Sequence, residues 1–183
     1  MEPTLSEPDL ATNVAALLYT DTAAIQAVVI NAVRRLRQNG LTAGGLVQRL
    51  GERQSNGKHA VWLDDVTTGD TTRLDEPRGP GARACILDTG ALAQGAWMLR
   101  RAIDSKPDVV VISRFGSVEA EGGGLRAEIA EAVCSGAAVL IPVRESLLPD
   151  LEIFLGGIPA VLPSDPAAIA AWGKAMVART KAA

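Results

Sequence analysis

Several residue types that common catalytic sites require are scarce in this sequence. Its one histidine, His59, stands at the entry to a predicted hairpin, where we expect a structural role, so no Ser/His/Asp or Cys/His arrangement can be built. Its two cysteines, Cys85 and Cys134, lie in apolar surroundings without metal-ligand spacing, and we expect both to be buried core thiols. The sequence therefore contains no pattern for a nucleophilic triad or a zinc site.

Aromatic side chains and an excess of one charge are also missing. Aromatic residues make up 3% of the chain while hydrophobic residues make up 48%, so the core must be built from Ala, Val, Leu and Ile. Such a core is typical of parallel sheets covered by helices. The formal net charge of −3 and a pI near 5.2 give no overall attraction to nucleic acid or to anionic lipid. We expect an α/β protein that binds neither.

Long hydrophobic runs are absent as well. No segment approaches the roughly 20 apolar residues of a membrane span. The acidic start, MEPTLSEPDL, differs from the basic and then apolar pattern of a signal peptide, so we expect a cytoplasmic protein. A chain of 183 residues suits one domain, and we predict a flexible tail over residues 1–12 and a single α/β domain over residues 13–183.

Strand-like and helix-like segments alternate along the rest of the chain. The pattern predicts a strand at 14–19, a helix at 23–38, a strand at 43–49, a β-hairpin within 59–76, a strand at 84–88, a helix at 89–104, a strand at 108–113, a loop and helix within 114–133, a strand at 137–143, a helix at 145–157, a strand at 159–163 and a helix at 165–183. Helices between strands return the chain for parallel pairing. We therefore predict a mainly parallel, doubly wound sheet with an inserted hairpin at an exposed edge.

Ligands of such sheets bind at the carboxyl ends of the strands, so the first loop is of special interest. The stretch LLYTDTAAIQAVVI occupies the position of a phosphate-binding loop, yet it contains neither glycine nor lysine. The carboxylate of Asp21 would occupy the helix N-terminus that a phosphate uses. Thr20 and Asp21 are therefore either ordinary helix caps or part of a site for a smaller ligand or a cation.

A second candidate loop follows the DVVVIS strand. No carboxylate occurs after this strand until Glu119 and Glu121, so a magnesium ion has no obvious ligand. The glycine run 122–124 could wrap a ligand with backbone N–H groups, helped by Arg126, or could be a flexible surface turn. Three arginines also follow predicted strands, and a guanidinium suits a tetrahedral anion; they are Arg49, Arg114 and Arg144. We predict no catalytic residue and no metal ligand, and the candidate ligand-binding residues are Thr20, Asp21, Gln48, Asp88, Arg114, Glu119, Glu121 and Arg126.

The stretch DVVVISRFGSVEAEGGGLRAEIAEAVCSGAAVLIPVRE resembles an uncharacterised bacterial family, domain of unknown function 2478. The LLYTD start, the GGLVQ strand, the LDDVTTGD hairpin, the LDTGALAQGAW segment and the closing LPSDP fit in order, over roughly residues 13–175. The resemblance implies a fold distantly related to small P-loop nucleoside triphosphatases and a genomic association with molybdate uptake. This chain has Ser113 and Ser117 where the family often has Asn and Lys, and it lacks the lysine and acidic pair of those hydrolases.

Three functions follow from these observations. The first is a non-hydrolysing protein that binds a small oxyanion, with molybdate or a nucleotide as the candidate ligand, or another phosphorylated molecule. The second is a cryptic nucleotide-dependent enzyme with Glu119 or Asp88 as general base and Arg114 stabilising charge. The third is an interaction module with a decayed site that uses the hairpin or Trp97 and Trp172, although core packing explains both tryptophans more simply. A homo-oligomer is compatible with each function.

Overall fold

A computed structural model describes residues 10–75 and 89–182. Its strands are β1 (Leu10–Tyr19), β2 (Ala43–Arg53), β3 (His59–Asp65), β4 (Thr71–Arg73), β5 (Val109–Val111), β6 (Ala138–Arg144) and β7 (Ile158–Leu162). The described strands form one seven-stranded sheet in the order β4-β3-β2-β5-β6-β1-β7. Strands β2, β5, β6, β1 and β7 run parallel, and β3 and β4 add an antiparallel hairpin at one end.

Helices cover both faces of this sheet. They are α1 (Thr22–Gln38), α2 (Thr89–Asp104), α3 (Ser117–Ala120), α4 (Arg126–Cys134), α5 (Leu148–Leu155) and α6 (Pro166–Ala182), and a 3₁₀ turn, Glu145–Leu147, precedes α5. Residues of α1 and α6 share one apolar cluster with the sheet, whereas α2, α4 and α5 contribute to a cluster on the other face. The predicted mainly parallel, doubly wound α/β fold with an inserted hairpin is confirmed.

The two-sided burial of β5 explains its uninterrupted apolar sequence. Val109 and Val111 belong to the cluster of α1 and α6, and Val110 and Ile112 belong to the cluster on the opposite face. All four side chains are fully buried. Because burying such a side chain stabilises a fold by about 1.5–3 kcal/mol, a strand with both faces covered needs no polar alternation.

Several boundaries differ from the prediction. Strand β1 begins at Leu10, inside the segment predicted as a tail, because its first residues pair with β7 from Ile158 onward. Strand β5 ends at Val111, and the loop after it contains the short helix α3, which the sequence did not indicate. The strand predicted at 84–88 lies outside the described residues.

A buried carboxylate, Asp75, ties the hairpin to β2. It accepts hydrogen bonds from the backbone N–H of Val61 (2.7 Å), from Nε2 of Gln54 (2.6 Å) and from the guanidinium of Arg73 (3.2 Å). Burial alone would raise the pKa of this carboxyl, but the hydrogen bonds from Arg73, Val61 and Gln54 outweigh it and hold the pKa below its usual value. The folded protein therefore favours the charged form of Asp75.

Asp75→Asn is expected to lower the free energy of unfolding by about 1–3 kcal/mol at pH 7, because a buried acceptor is replaced by a donor. The pKa of Asp75 is lower in the folded state than the unfolded value of about 3.9, so the contribution is fully present above about pH 4. It is lost as the pH falls through the folded pKa. Urea denaturation from pH 7 to pH 3 should show the gap between wild type and variant closing, and an unchanged gap would contradict this. Asp104→Asn, at an exposed position, is the control.

Two side chains expected in the core lie at the surface, so those predictions are wrong. Cys134 is an exposed free thiol at the last residue of α4, since the helical period directs Ile129 and Ala132 inward instead. Trp97 is 51% exposed on α2, where its ring packs against Arg101, whose Cζ is 4.5 Å from the ring centroid. Cys85 lies outside the described residues.

The predictions for Trp172 and His59 are confirmed. Trp172 packs, partly buried, against the apolar cluster of α1 and α6. His59 is exposed at the start of β3, and its Nδ1 lies 2.9 Å from the carbonyl oxygen of Gly51, across the β2–β3 ladder. Within the described ranges, no helix has both the length and the apolar character needed to cross a bilayer.

Candidate functional site

The carboxyl ends of β1, β2, β5 and β6 meet in a small cleft beside the start of α1. Its wall includes Tyr19 of β1, Gln48 of β2, Pro142 of β6, and Ser113 and Arg114 from the segment that follows β5. The cavity measures about 20 Å³, which is room for about one water molecule. Ligands of doubly wound sheets bind at this edge, and the cleft brings together two of the predicted ligand-binding residues, Gln48 and Arg114.

Gln48 reaches the cleft because β2 extends beyond its neighbour. Gly45 of β2 pairs with Val111, the last residue of β5, so Gln48 lies three residues past the end of the shared ladder. The side chain of Gln26 on α1 accepts a hydrogen bond from the backbone N–H of Leu50 (3.0 Å) and holds this extension against the helix. Gln48 is only 8% exposed, yet its side-chain carboxamide forms no hydrogen bond within the described part of the chain.

Arg114 differs from the other two arginines predicted at this edge. Arg49 pairs with Asp64, with Nη2 3.1 Å from Oδ1, and Arg144 donates to the carbonyl oxygen of Thr20 (3.2 Å). Arg114 has neither a hydrogen bond nor an ion pair with any residue of 10–75 or 89–182. Its guanidinium donors are therefore available to a ligand. The neighbouring hydroxyl of Ser113, a 9% exposed residue, is likewise unbonded among these residues.

Thr20 and Asp21 lie at the start of α1 and line a separate cavity of about 200 Å³. Asp21 has an extended backbone and its Oδ1 accepts a hydrogen bond from the backbone N–H of Ala24 (2.8 Å), so the helix-cap interpretation of Asp21 is confirmed. Glu145 also lines this cavity. The cap carboxylate of Asp21 occupies the positive end of the helix dipole and Glu145 adds a second negative charge to the cavity, so an anion is disfavoured there.

Glu119 is enclosed by the loop on which it lies. Its Oε2 accepts a hydrogen bond from the backbone N–H of Gly116 (3.0 Å), and its Oε1 accepts one from Leu125 (3.1 Å). The residue is 8% exposed. The carboxylate therefore closes the segment 116–125 from inside, and both of its oxygens are already used.

The glycine run 122–124 belongs to the same internal arrangement. Gly124 has a φ of +61°, and a Cβ there would lie 2.0 Å from Oε1 of Glu119, so a residue with a side chain would be strained and would displace this carboxylate. The N–H groups of Gly122 and Gly123 donate to the carbonyl oxygens of Glu119 and Val118. These N–H groups are consequently not free to cradle a phosphate, and the run forms a structural turn.

The remaining predicted residues lie away from the cleft. Arg126 donates from Nη1 to the carbonyl oxygen of Glu119 (2.8 Å), and its guanidinium lies over the ring of Phe154, with Cζ 4.5 Å from the centroid. Glu121 is exposed at the end of α3. Asp88 lies outside the described residues. The structure therefore separates the candidate residues into the cleft, the start of α1 and the α3–α4 loop.

Two residues of the cleft, Thr22 and Gln26, were missed. They lie four residues apart on α1 and so share one face of the helix. This spacing of polar side chains in the first turns of α1 was the available signal. No group of three His, Cys, Asp or Glu side chains within the described ranges is placed to hold a metal ion.

Residues 14–172 match the model of a family described as a protein of unknown function, DUF2478. The chain belongs to this family. The resemblance inferred from the sequence motifs is thereby confirmed over nearly the same range. The family description assigns no activity, so the geometry of the site carries the functional argument for this DUF2478 chain.

This DUF2478 chain is also similar to a molybdenum import ATP-binding protein, ModC 2, of Bradyrhizobium diazoefficiens. The two are 33% identical over 168 residues, which make up 92% of this chain and 19% of the relative. The chain thus spans about a fifth of the length of that curated relative. No solved structure matches the chain. The similarity and the mainly parallel sheet confirm the predicted P-loop-NTPase-like α/β class.

Proposed function

We propose that this DUF2478 chain is a non-hydrolysing binding protein for a small oxyanion, with molybdate as the first candidate and a phosphorylated small molecule as the other. The main support is the free guanidinium of Arg114 at the carboxyl edge of the sheet. Gln48 and Ser113 add polar groups that have no hydrogen bond in the described chain. A planar guanidinium donates paired, charge-assisted hydrogen bonds to tetrahedral anions, which fits this set.

Nucleotide hydrolysis has little support from the same residues. The first loop has no lysine for the terminal phosphates, and Asp21 caps the helix where a phosphate would lie. The carboxylate of Glu119 is committed to two backbone N–H groups, so it is poorly placed to act as a general base. A binding role without hydrolysis is therefore the better interpretation.

The name of the matched relative supports molybdate as the first ligand to test. That protein is described by ATP binding and molybdenum import, and the matched region is 19% of its length. ATP binding is not carried over to this chain, because it contains no G-x-x-x-x-G-K-[ST] sequence. Molybdate is a tetrahedral oxyanion, so it has the geometry that Arg114 suits. Because the cleft encloses room for only about one water molecule, the anion would lie at the mouth of the cleft, where Arg114 is half-buried.

Thermal denaturation with added anions tests the proposal. Molybdate and tungstate are expected to raise the Tm, with a stabilisation that grows as RT ln(1 + [L]/Kd), and Arg114→Ala should remove the effect. Arg114→Lys keeps the charge but loses the paired geometry, so we expect a Kd at least about tenfold weaker. Arg35→Ala removes an exposed arginine of α1 that lies away from the cleft, and it should leave the shift unchanged.

Sulfate, phosphate, and ADP and ATP with and without magnesium complete the panel. A shift by phosphate or nucleotide that Arg114→Ala removes would favour the phosphorylated ligand over molybdate. A molybdate shift of equal size in wild type and Arg114→Ala would contradict the proposed site. A magnesium-dependent ATP shift accompanied by turnover would contradict the non-hydrolysing role.

A second candidate function is suggested by the length of the relative. A segment similar to nearly the whole chain occurs there within a protein about five times as long. The segment would then act as a module that contacts the ATP-binding part of a molybdenum importer, within one polypeptide or between two. Absence of any anion shift, together with direct binding to such an ATP-binding protein, would favour this function over the first.

A further inference from the structure

A much larger cavity lies at the opposite, amino edge of the sheet. It measures about 530 Å³ and lies where β5 and β6 begin, between the ends of α2 and α6. This volume falls within the range of about 300–1,000 Å³ that is usual for small-molecule sites. The cleft at Arg114 has room for little more than one water, so the two sites differ in the size of ligand they could hold.

One wall of this amino-edge cavity is apolar. Ile103 and Pro107 contribute to it from the end of α2 and the turn after it, and Met176 and Val177 contribute from α6. Pro107 is buried and the other three side chains are half-buried. An apolar group of a ligand would remove this surface from water, which contributes about 25 cal/mol for each Å² covered.

The charged groups of the cavity are two lysines and two aspartates. Lys106 and Lys181 line it, and the side-chain ammonium group of neither forms a hydrogen bond or ion pair within the described ranges. Asp108 is already engaged, because its Oδ2 accepts from the N–H (2.8 Å) and the hydroxyl (2.9 Å) of Thr42. Asp104 is exposed at the end of α2. The formal charges of these four groups cancel, but the two ammonium groups are donors without a partner in the described chain, which favours a ligand with an anionic group.

The backbone of Lys106 adds an independent observation. Its φ is +52°, the one positive φ of a non-glycine residue in the described chain. Its N–H donates to the carbonyl oxygen of Ile103 (2.9 Å), so it ends α2 in the left-handed position that usually holds glycine. Residues with a side chain are disfavoured there, and such local strain is often found at binding sites. A strained residue therefore carries one of the two free ammonium groups of the cavity.

We propose that the amino-edge cavity binds a small amphipathic anion. The apolar body of this ligand lies against Met176 and Val177, and its carboxylate, sulfonate or phosphate head is bound by Lys106 and Lys181. The site is separate from the oxyanion cleft, because the two lie at opposite edges of the sheet and no residue lines both.

Fluorescence titration with 8-anilinonaphthalene-1-sulfonate, an amphipathic monoanion, tests the proposal. We expect saturable binding to the full chain and a Kd about tenfold weaker in Lys106→Ala and in Lys181→Ala, since each removes one charge-assisted contact. Val177→Trp should fill the cavity and reduce binding further. Lys174→Ala, at an exposed position of α6 outside this cavity, should leave the Kd unchanged.

Lys106→Gly separates binding from folding. This variant relieves the left-handed strain and should raise the Tm by about 2–4 °C, while it weakens dye binding as much as Lys106→Ala does. Unchanged affinity in both lysine variants would overturn the proposal. So would loss of the fluorescence signal in Ile153→Ser, because Ile153 is a 79% exposed side chain on α5, outside the cavity, where the dye could bind non-specifically.

Discussion

Glu119→Gln is expected to lower the free energy of unfolding by about 2–4 kcal/mol, because two buried hydrogen bonds to a charged acceptor are affected together. In the wild type, Oε1 and Oε2 accept from the backbone N–H groups of Leu125 and Gly116. The amide of Gln offers one acceptor and one donor, so an N–H group would face another N–H group. Urea denaturation at pH 7 measures the loss.

The matched control is Glu121→Gln, two residues away and exposed, which should change the free energy of unfolding by less than about 0.5 kcal/mol. Glu119→Gln should also weaken the proposed oxyanion binding, because Glu119 holds Gly116 and Gly116 lies close to Arg114. The position that a Cβ of residue 116 would take is only 3.5 Å from Nε of Arg114. A loosened Gly116 would therefore disturb Arg114. If Glu119→Gln were as stable as Glu121→Gln, Glu119 would not hold the loop closed, and its role as a general base would merit testing.

The layers of the fold could be predicted because its central strands are apolar on both faces. The strand predicted at 137–143 is observed as Ala138–Arg144, since burial by helices on each side leaves a continuous apolar run in the sequence. The strand predicted at 108–113 was too long for a related reason. Ile112 is buried like its neighbours, but the chain leaves the regular ladder after Val111.

The site was harder to predict because its chemistry depends on contacts between distant residues. Arg49 and Arg114 both lie at the ends of predicted strands. Arg49 is paired because Asp64 lies on the neighbouring strand β3, whereas Arg114 has no such partner among the described residues. Glu119 followed by glycines suggested a ligand loop. Its true partners are backbone N–H groups, which a sequence pattern does not distinguish from one another.

Gly45→Ala is expected to destabilise the protein by more than about 4 kcal/mol or to prevent folding, which places it among the most damaging single substitutions. Gly45 has a φ of +114°, and a Cβ there would lie 2.0 Å from the carbonyl oxygen of Val111 and 2.8 Å from its nitrogen. Both atoms belong to the backbone of β5, so no side-chain rotation relieves the clash. Urea denaturation, followed by far-ultraviolet circular dichroism, measures the effect.

Gly40→Ala is the control for Gly45→Ala, because it measures the cost of backbone strain at a glycine that no other strand approaches. Gly40 has a φ of +77°, and a Cβ at this position would have no neighbouring atom within 4 Å, so the substitution should cost only about 1–2 kcal/mol. Equal losses in the two variants would show that β2 and β5 can separate to admit a methyl group. A much larger loss at Gly45 would mean that this glycine fixes the spacing of the two strands. The same spacing sets Gln48 beside Arg114, so the cleft of the proposed oxyanion site depends on a residue that does not line it.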